Sequence, residues 1–188
     1  MKLSSALIMA GVTALGLSGH ANAGDGACLW LGLPQNYRDA FMTNFPSEGQ
    51  KAFARLAAPP EIMGAIMAKC GVTTLVQNHA AVGALIAYGW EQGESHVMVA
   101  KYGITSTTVD AAWMALAPSR RETFEASVMK GADVGMPASS SDPKDRDAAL
   151  SVLSELTKSM AVSDNAEIDL IGHYLTWKVA RPHYEARF

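Results

Sequence analysis

The sequence predicts an all-α protein, a single-domain bundle of about six to eight helices around one long central helix, closed by one disulfide. Three observations carry that expectation. Apolar residues recur at three- and four-residue spacing along most of the chain. Proline, glycine and capping side chains fall where those periodic stretches begin and end. No run shows period-two alternation bounded by turns, the mark of a half-buried strand.

Residues 24–33 read as irregular and glycine-rich, with Leu29, Trp30, Leu31 and Leu33 available to pack. Pro34 opens a first helix to about Phe45, with Tyr37, Phe41 and Phe45 four apart on one face, and Pro46-Ser47 interrupts it. A second helix is expected over 47–57. Pro59-Pro60-Glu61 then restarts the chain, with proline at the helix start and an acid in its first turn, and Gly71 stops it.

The central helix is expected over about 73–102, with Leu75, His79, Val82, Ile86, Trp90 and Val97 in one stripe taken as its core face. Alanines and glycines cover much of the rest, so neighbours can approach closely, and Gly89 or Gly93 could break it. Helices over about 108–116 and 119–130 follow. Residues 131–142 form the clearest loop. Asp142 and Pro143 cap and start the next helix, with Leu150, Leu153, Leu156 and Met160 as its stripe. Asp164 and Glu167, three apart, start the last helix; Ile168, Ile171, Leu175 and Val179 face inward, and Arg181-Pro182 ends it.

The N-terminus has a different character. Lys2, an apolar stretch from Leu3 to Leu17, and Ala21-Asn22-Ala23 make a basic start, a hydrophobic segment and a small-x-small cleavage site. The stretch is short against the ~20 residues of a membrane span. Residues 1–23 are therefore read as a signal peptide cleaved after Ala23, and 24–188 as the mature domain, periplasmic or secreted. Within the mature chain Gln77, Asn78 and His79 interrupt the longest apolar run, so no transmembrane segment is expected there. In an oxidising compartment an isolated cysteine pair forms a disulfide, so Cys28 and Cys70 are expected to join. The formal charge of −3, a pI of 5.9 and the lack of a basic run argue against nucleic acid as a partner.

Motif-borne chemistry fails position by position. Cys28 and Cys70 are too far apart for covalent haem, no histidine follows a glutamate at Glu-x-x-His spacing, and His-Glu-x-x-His is absent. Ser127-x-x-Lys130, Ser163-Asp164-Asn165 and Lys101-Tyr102-Gly103 imitate the elements of penicillin-binding enzymes, but their order is wrong and the sheet that should carry them is missing. No cofactor or metal is therefore expected. Glu91 and Glu94 read as a solvated face, and His173 as a surface partner of Asp169 four residues earlier. His79 and Trp90, on the assumed core stripe, are the candidate ligand-binding residues, with a structural role for His79 weighed above it. The expected function is a non-catalytic module that binds an unknown protein or small molecule. The alternative is a small helical enzyme, for instance a hydrolase, or a ligand carrier with its site near the central helix.

Overall fold

The computed structural model describes residues 25–132 and 142–188. Among them lie eight α-helices, one 3-10 segment and no strand. The signal segment with its cleavage site, and most of the loop expected over 131–142, fall outside the described residues. The helices are α1 (Gly26–Gly32), α2 (Gln35–Glu48), α3 (Pro60–Lys69), α4 (Leu75–Tyr102), α5 (Ser106–Ala115), α6 (Pro118–Ala132), α7 (Pro143–Ser159) and α8 (Asn165–Glu185); the 3-10 segment is Gly49–Leu56. None of the described helices is long and apolar enough to cross a membrane.

Local chemistry explains most boundaries. Thr74 and Gln77 form a reciprocal capping box that starts α4, and Gly103, at a φ of 67°, ends it in the left-handed region that glycine enters freely. Asp142 accepts from the Lys144 N–H ahead of Pro143, and Asp164 accepts from the Ala166 and Glu167 N–H groups. α4 runs unbroken through Gly89 and Gly93.

Three segments depart from the expected pattern. Residues 26–32 are a helix, because Asp25 caps them by accepting from the Cys28 N–H and the segment packs on α4. Its Leu29, Trp30 and Leu33 are buried, while Leu31 faces solvent. α2 continues through Pro46 for part of a turn before Gly49 stops it, and the expected second helix is a 3-10 segment. α8 continues through Pro182 to Glu185, since Tyr184 packs on Gly83 and Glu185 accepts the Gly26 N–H. Tertiary contacts there outweigh the one backbone bond a proline removes.

The core has two clusters. One gathers α1, α2, the 3-10 segment, α3 and the N-terminal half of α4 around Leu29, Leu33, Phe41 and Cys70; the other gathers α5 to α8 around Val109, Val152, Leu156, Ile171 and Leu175. α4 and α8 form the most extensive helix pair and join the two. The disulfide between Cys28 and Cys70 is present and staples α1 to the end of α3. On α7, Leu153 and Leu156 are buried as expected, but Leu150 is 54% exposed.

Close packing depends on small residues of α4. A Cβ at Gly93 would stand 2.6 Å from the Phe45 ring, which is itself enclosed by Phe41, Phe53 and Trp90. Gly93→Ala is therefore expected to lower stability by about 1–2 kcal/mol, overpacking outweighing the roughly 1 kcal/mol that alanine adds to a helix. Gly64 of α3 has open space around its Cβ position, so Gly64→Ala should gain up to about 1 kcal/mol. Urea denaturation of the pair checks both signs; a Gly93→Ala midpoint at or above wild type would show that Phe45 can yield.

Candidate functional site

The two sequence-derived candidates do not meet. His79 is exposed, as are Leu75 (72%), Val76 (75%) and Val82 (41%), so the stripe assumed to be core faces solvent over the first turns of α4. The reason is the reach of α8. It runs antiparallel to α4, as the pairs Gly83–Tyr184, Trp90–Trp177 and Glu94–His173 require, and it ends at Glu185. The turns of α4 before Gly83 extend past that end. Trp90 lies about 16 Å further along the helix. There it stacks on Trp177 at 5.5 Å and meets the edges of Phe45 and His173, a packing role among aromatic rings.

The buried seam of α4 is a different stripe: Ala80, Ala84, Ala87, Glu91, Glu94 and Met98 alternate spacings of four and three and are all buried. Two of them are acids, contrary to the solvated face expected for Glu91 and Glu94. Burial is tolerated because α8 supplies cations. Arg181 Nε donates to Glu91 at 2.6 Å, and its Nη1 donates to Glu185 at 3.2 Å. Glu185 also accepts the Gly26 N–H at 2.7 Å, tying α1 to α8. Two carboxylates thus share one guanidinium. Burial pushes the Glu91 carboxyl up to about 7, against the opposing pull of Arg181. Burial works against the charge on Arg181 too, but Glu91 and Glu185 outweigh it and hold the guanidinium charged.

One turn on, Glu94 Oε1 stands 3.6 Å from His173 Nδ1. The carboxylate is 5% exposed and the imidazole 68% exposed, so a buried acid backs a histidine that faces outward. Glu94 raises the His173 pKa, against the lowering effect of partial burial. The expected pairing with Asp169 persists as a weaker electrostatic contribution that also raises the His173 pKa, beside this contact across the helix seam. Asp110 forms a third set: it pairs with Lys178 and accepts from the Tyr174 hydroxyl, and burial together with Asp110 pushes the Tyr174 pKa up.

Beside His173 a cleft of about 200 Å³ opens between α6, α7 and α8. Buried Phe124, Leu153 and Gly172 make its floor, and Arg146, Asp169 and His173 stand on its rim with exposed Leu150. Neither Arg146 nor Asp169 has a side-chain ion pair among the described residues. Sequence reasoning passed over this site because its residues come from three helices.

Ser127 is buried, and Lys130 points elsewhere, donating to Asp145 at 2.6 Å, so the two do not form the serine–lysine pair their spacing imitates. Among the described residues no group of three or more histidine, cysteine, aspartate or glutamate side chains is arranged to hold a metal ion. Comparison with known protein families, with curated proteins and with solved structures finds no significant match to this chain.

Proposed function

We propose that the chain is an exported, non-catalytic binding module that takes a small amphiphilic molecule in the cleft between α6, α7 and α8. The observation that carries this reading is the contrast between two sets of charges. Those of the interior are committed to one another, as in Glu91–Arg181–Glu185, whereas Arg146 and Asp169 are exposed beside an apolar floor and form no salt bridge to Lys, Arg, Asp or Glu among the described residues. An apolar surface with a few convergent polar groups is the usual form of a small-molecule site. Export, with removal of residues 1–23, is supported by the Cys28–Cys70 disulfide, since such bonds persist in oxidising compartments.

The test is native mass spectrometry of the protein taken from its own compartment. A polypeptide beginning at Gly24 with a small-molecule adduct is expected. An adduct lost in a Leu150→Arg variant, which sets a charge over the cleft at an exposed position, would place the ligand there. A chain that carries no adduct from any source would remove the binding reading.

The second reading is a small enzyme, and Glu94 behind His173 favours it, because a carboxylate that orients an imidazole is the arrangement of a general base. The two readings diverge at His173→Gln. A binding module would keep its ligand with altered affinity; an enzyme would bind its substrate and fail to turn it over.

A further inference from the structure

We propose that the ligand of the α6–α7–α8 cleft is a free apolar α-amino acid, its carboxylate at Arg146 and His173, its ammonium at Asp169 and its side chain on Phe124, Leu150 and Leu153. This rests on the binding reading above and names the class of molecule bound.

Size comes first. The cleft measures about 200 Å³, below the ~300–1,000 Å³ of sites for drug-sized ligands, so its occupant is small. Its floor is apolar, and Leu150, 54% exposed on the rim, adds an apolar surface that nothing in the described structure covers. The occupant therefore carries a compact hydrocarbon group.

Charge decides the rest. A purely anionic amphiphile would suit Arg146 but would meet Asp169 on the same rim; a purely cationic one would suit Asp169 and meet Arg146. Each would gain one favourable contact and one unfavourable one. A zwitterion whose ammonium and carboxylate are borne on one α-carbon satisfies both at once. The guanidinium offers a planar fork to a carboxylate. His173 adds a second donor: Glu94 stands at Nδ1, which leaves Nε2 as the ring nitrogen available to a ligand. Arg146 of α7 and Asp169 of α8 both line the cleft, and no salt bridge joins them.

The experiment is a titration of the oxidised protein with L-leucine, 4-methylpentanoate and 3-methylbutylamine, followed by calorimetry and by the backbone amide signals of Leu150, Gly172 and Thr176. Leucine should shift those signals. Each analogue, lacking one charge, should bind about tenfold or more weakly, the usual consequence of losing a hydrogen bond to a charged group. Arg146→Gln and Asp169→Asn, both at exposed positions, should weaken leucine by a similar factor while leaving the melting temperature unchanged. Equal binding of either analogue in the cleft would overturn the amino-acid assignment and leave the binding module standing. Leucine affinity unaffected by both substitutions would overturn it too. If leucine leaves the cleft signals unmoved while protein from its own compartment carries another adduct, the amino-acid assignment alone falls; with no adduct, both readings fall.

Discussion

Arg181→Met is expected to lower stability by about 1 kcal/mol more at pH 8 than at pH 5, because a buried acid that loses its cation takes up a proton at a cost set by how far the pH lies above its pKa of about 7. Glu91 is 6% exposed, and Arg181 is the cation that contacts it. At pH 5 the loss should be smaller by that amount, because the buried carboxyl is then already protonated. The wild type should show the same tendency in weaker form. The folded pKa of Glu91, about 7, lies above its ordinary value of 4.5. Its stabilising contribution is therefore complete below about 4.5 and is lost as pH rises through 7, a displacement worth about 3 kcal/mol. His173, whose pKa is also raised, acts in the same direction: its contribution is full below its unfolded value and lost as pH climbs through its folded one. Glu91→Gln keeps the shape and an acceptor for Arg181 but cannot ionise, so it should flatten the profile between pH 5 and 8. Urea denaturation at the two pH values, on wild type and both variants, checks all of this. An Arg181→Met protein as stable at pH 8 as at pH 5 would show that water reaches Glu91.

The helical architecture was legible because helix boundaries are written locally. Thr74, Gly103, Asp142 and Asp164 each act on backbone groups within a few residues, and the structure uses all four as caps. The facing of α4 was not legible in the same way. Its large apolar residues Leu75 and Val82 mark a stripe, but which stripe is buried depends on where α8 begins and ends. The signal that did exist was the spacing of Ala80, Ala84, Ala87 and Met98. Continuing that alternation through residues 91 and 94 puts two glutamates in the seam, and buried glutamates demand cations from elsewhere in the chain. Arg181, one turn before Glu185 on α8, was available to answer that demand. The cleft was harder still. Arg146 and Asp169 belong to α7 and α8, Phe124 to α6, and no sequence spacing reports that three helix surfaces converge.

Opening the Cys28–Cys70 bond is expected to lower stability by about 4 kcal/mol, the loop-closure entropy restored to the unfolded chain for a separation of 42 residues. Cysteine-to-alanine replacement alone would confound this with lost volume, since Cys70 is fully buried. Reduced wild type keeps both sulfurs, so oxidised protein, reduced protein and the Cys28→Ala/Cys70→Ala variant should be compared by denaturant titration. Reduction should account for most of the loss. Alkylation of the oxidised protein without reductant should label neither thiol, and two labelled cysteines would contradict the bond. The damage should also be local before it is global. Without its staple to α3, α1 keeps the Asp25 cap, the burial of Leu29, Trp30 and Leu33, and the hydrogen bond from Gly26 to Glu185. Its amides should then exchange with solvent well ahead of those in the middle of α4. Arg181 bears on that same end, because it holds the Glu185 carboxylate to which Gly26 donates. Reduction combined with Arg181→Met should therefore depart from the sum of the two separate losses, as changes to neighbouring ties do. A strictly additive result would mean that the disulfide and the charged network hold α1 independently.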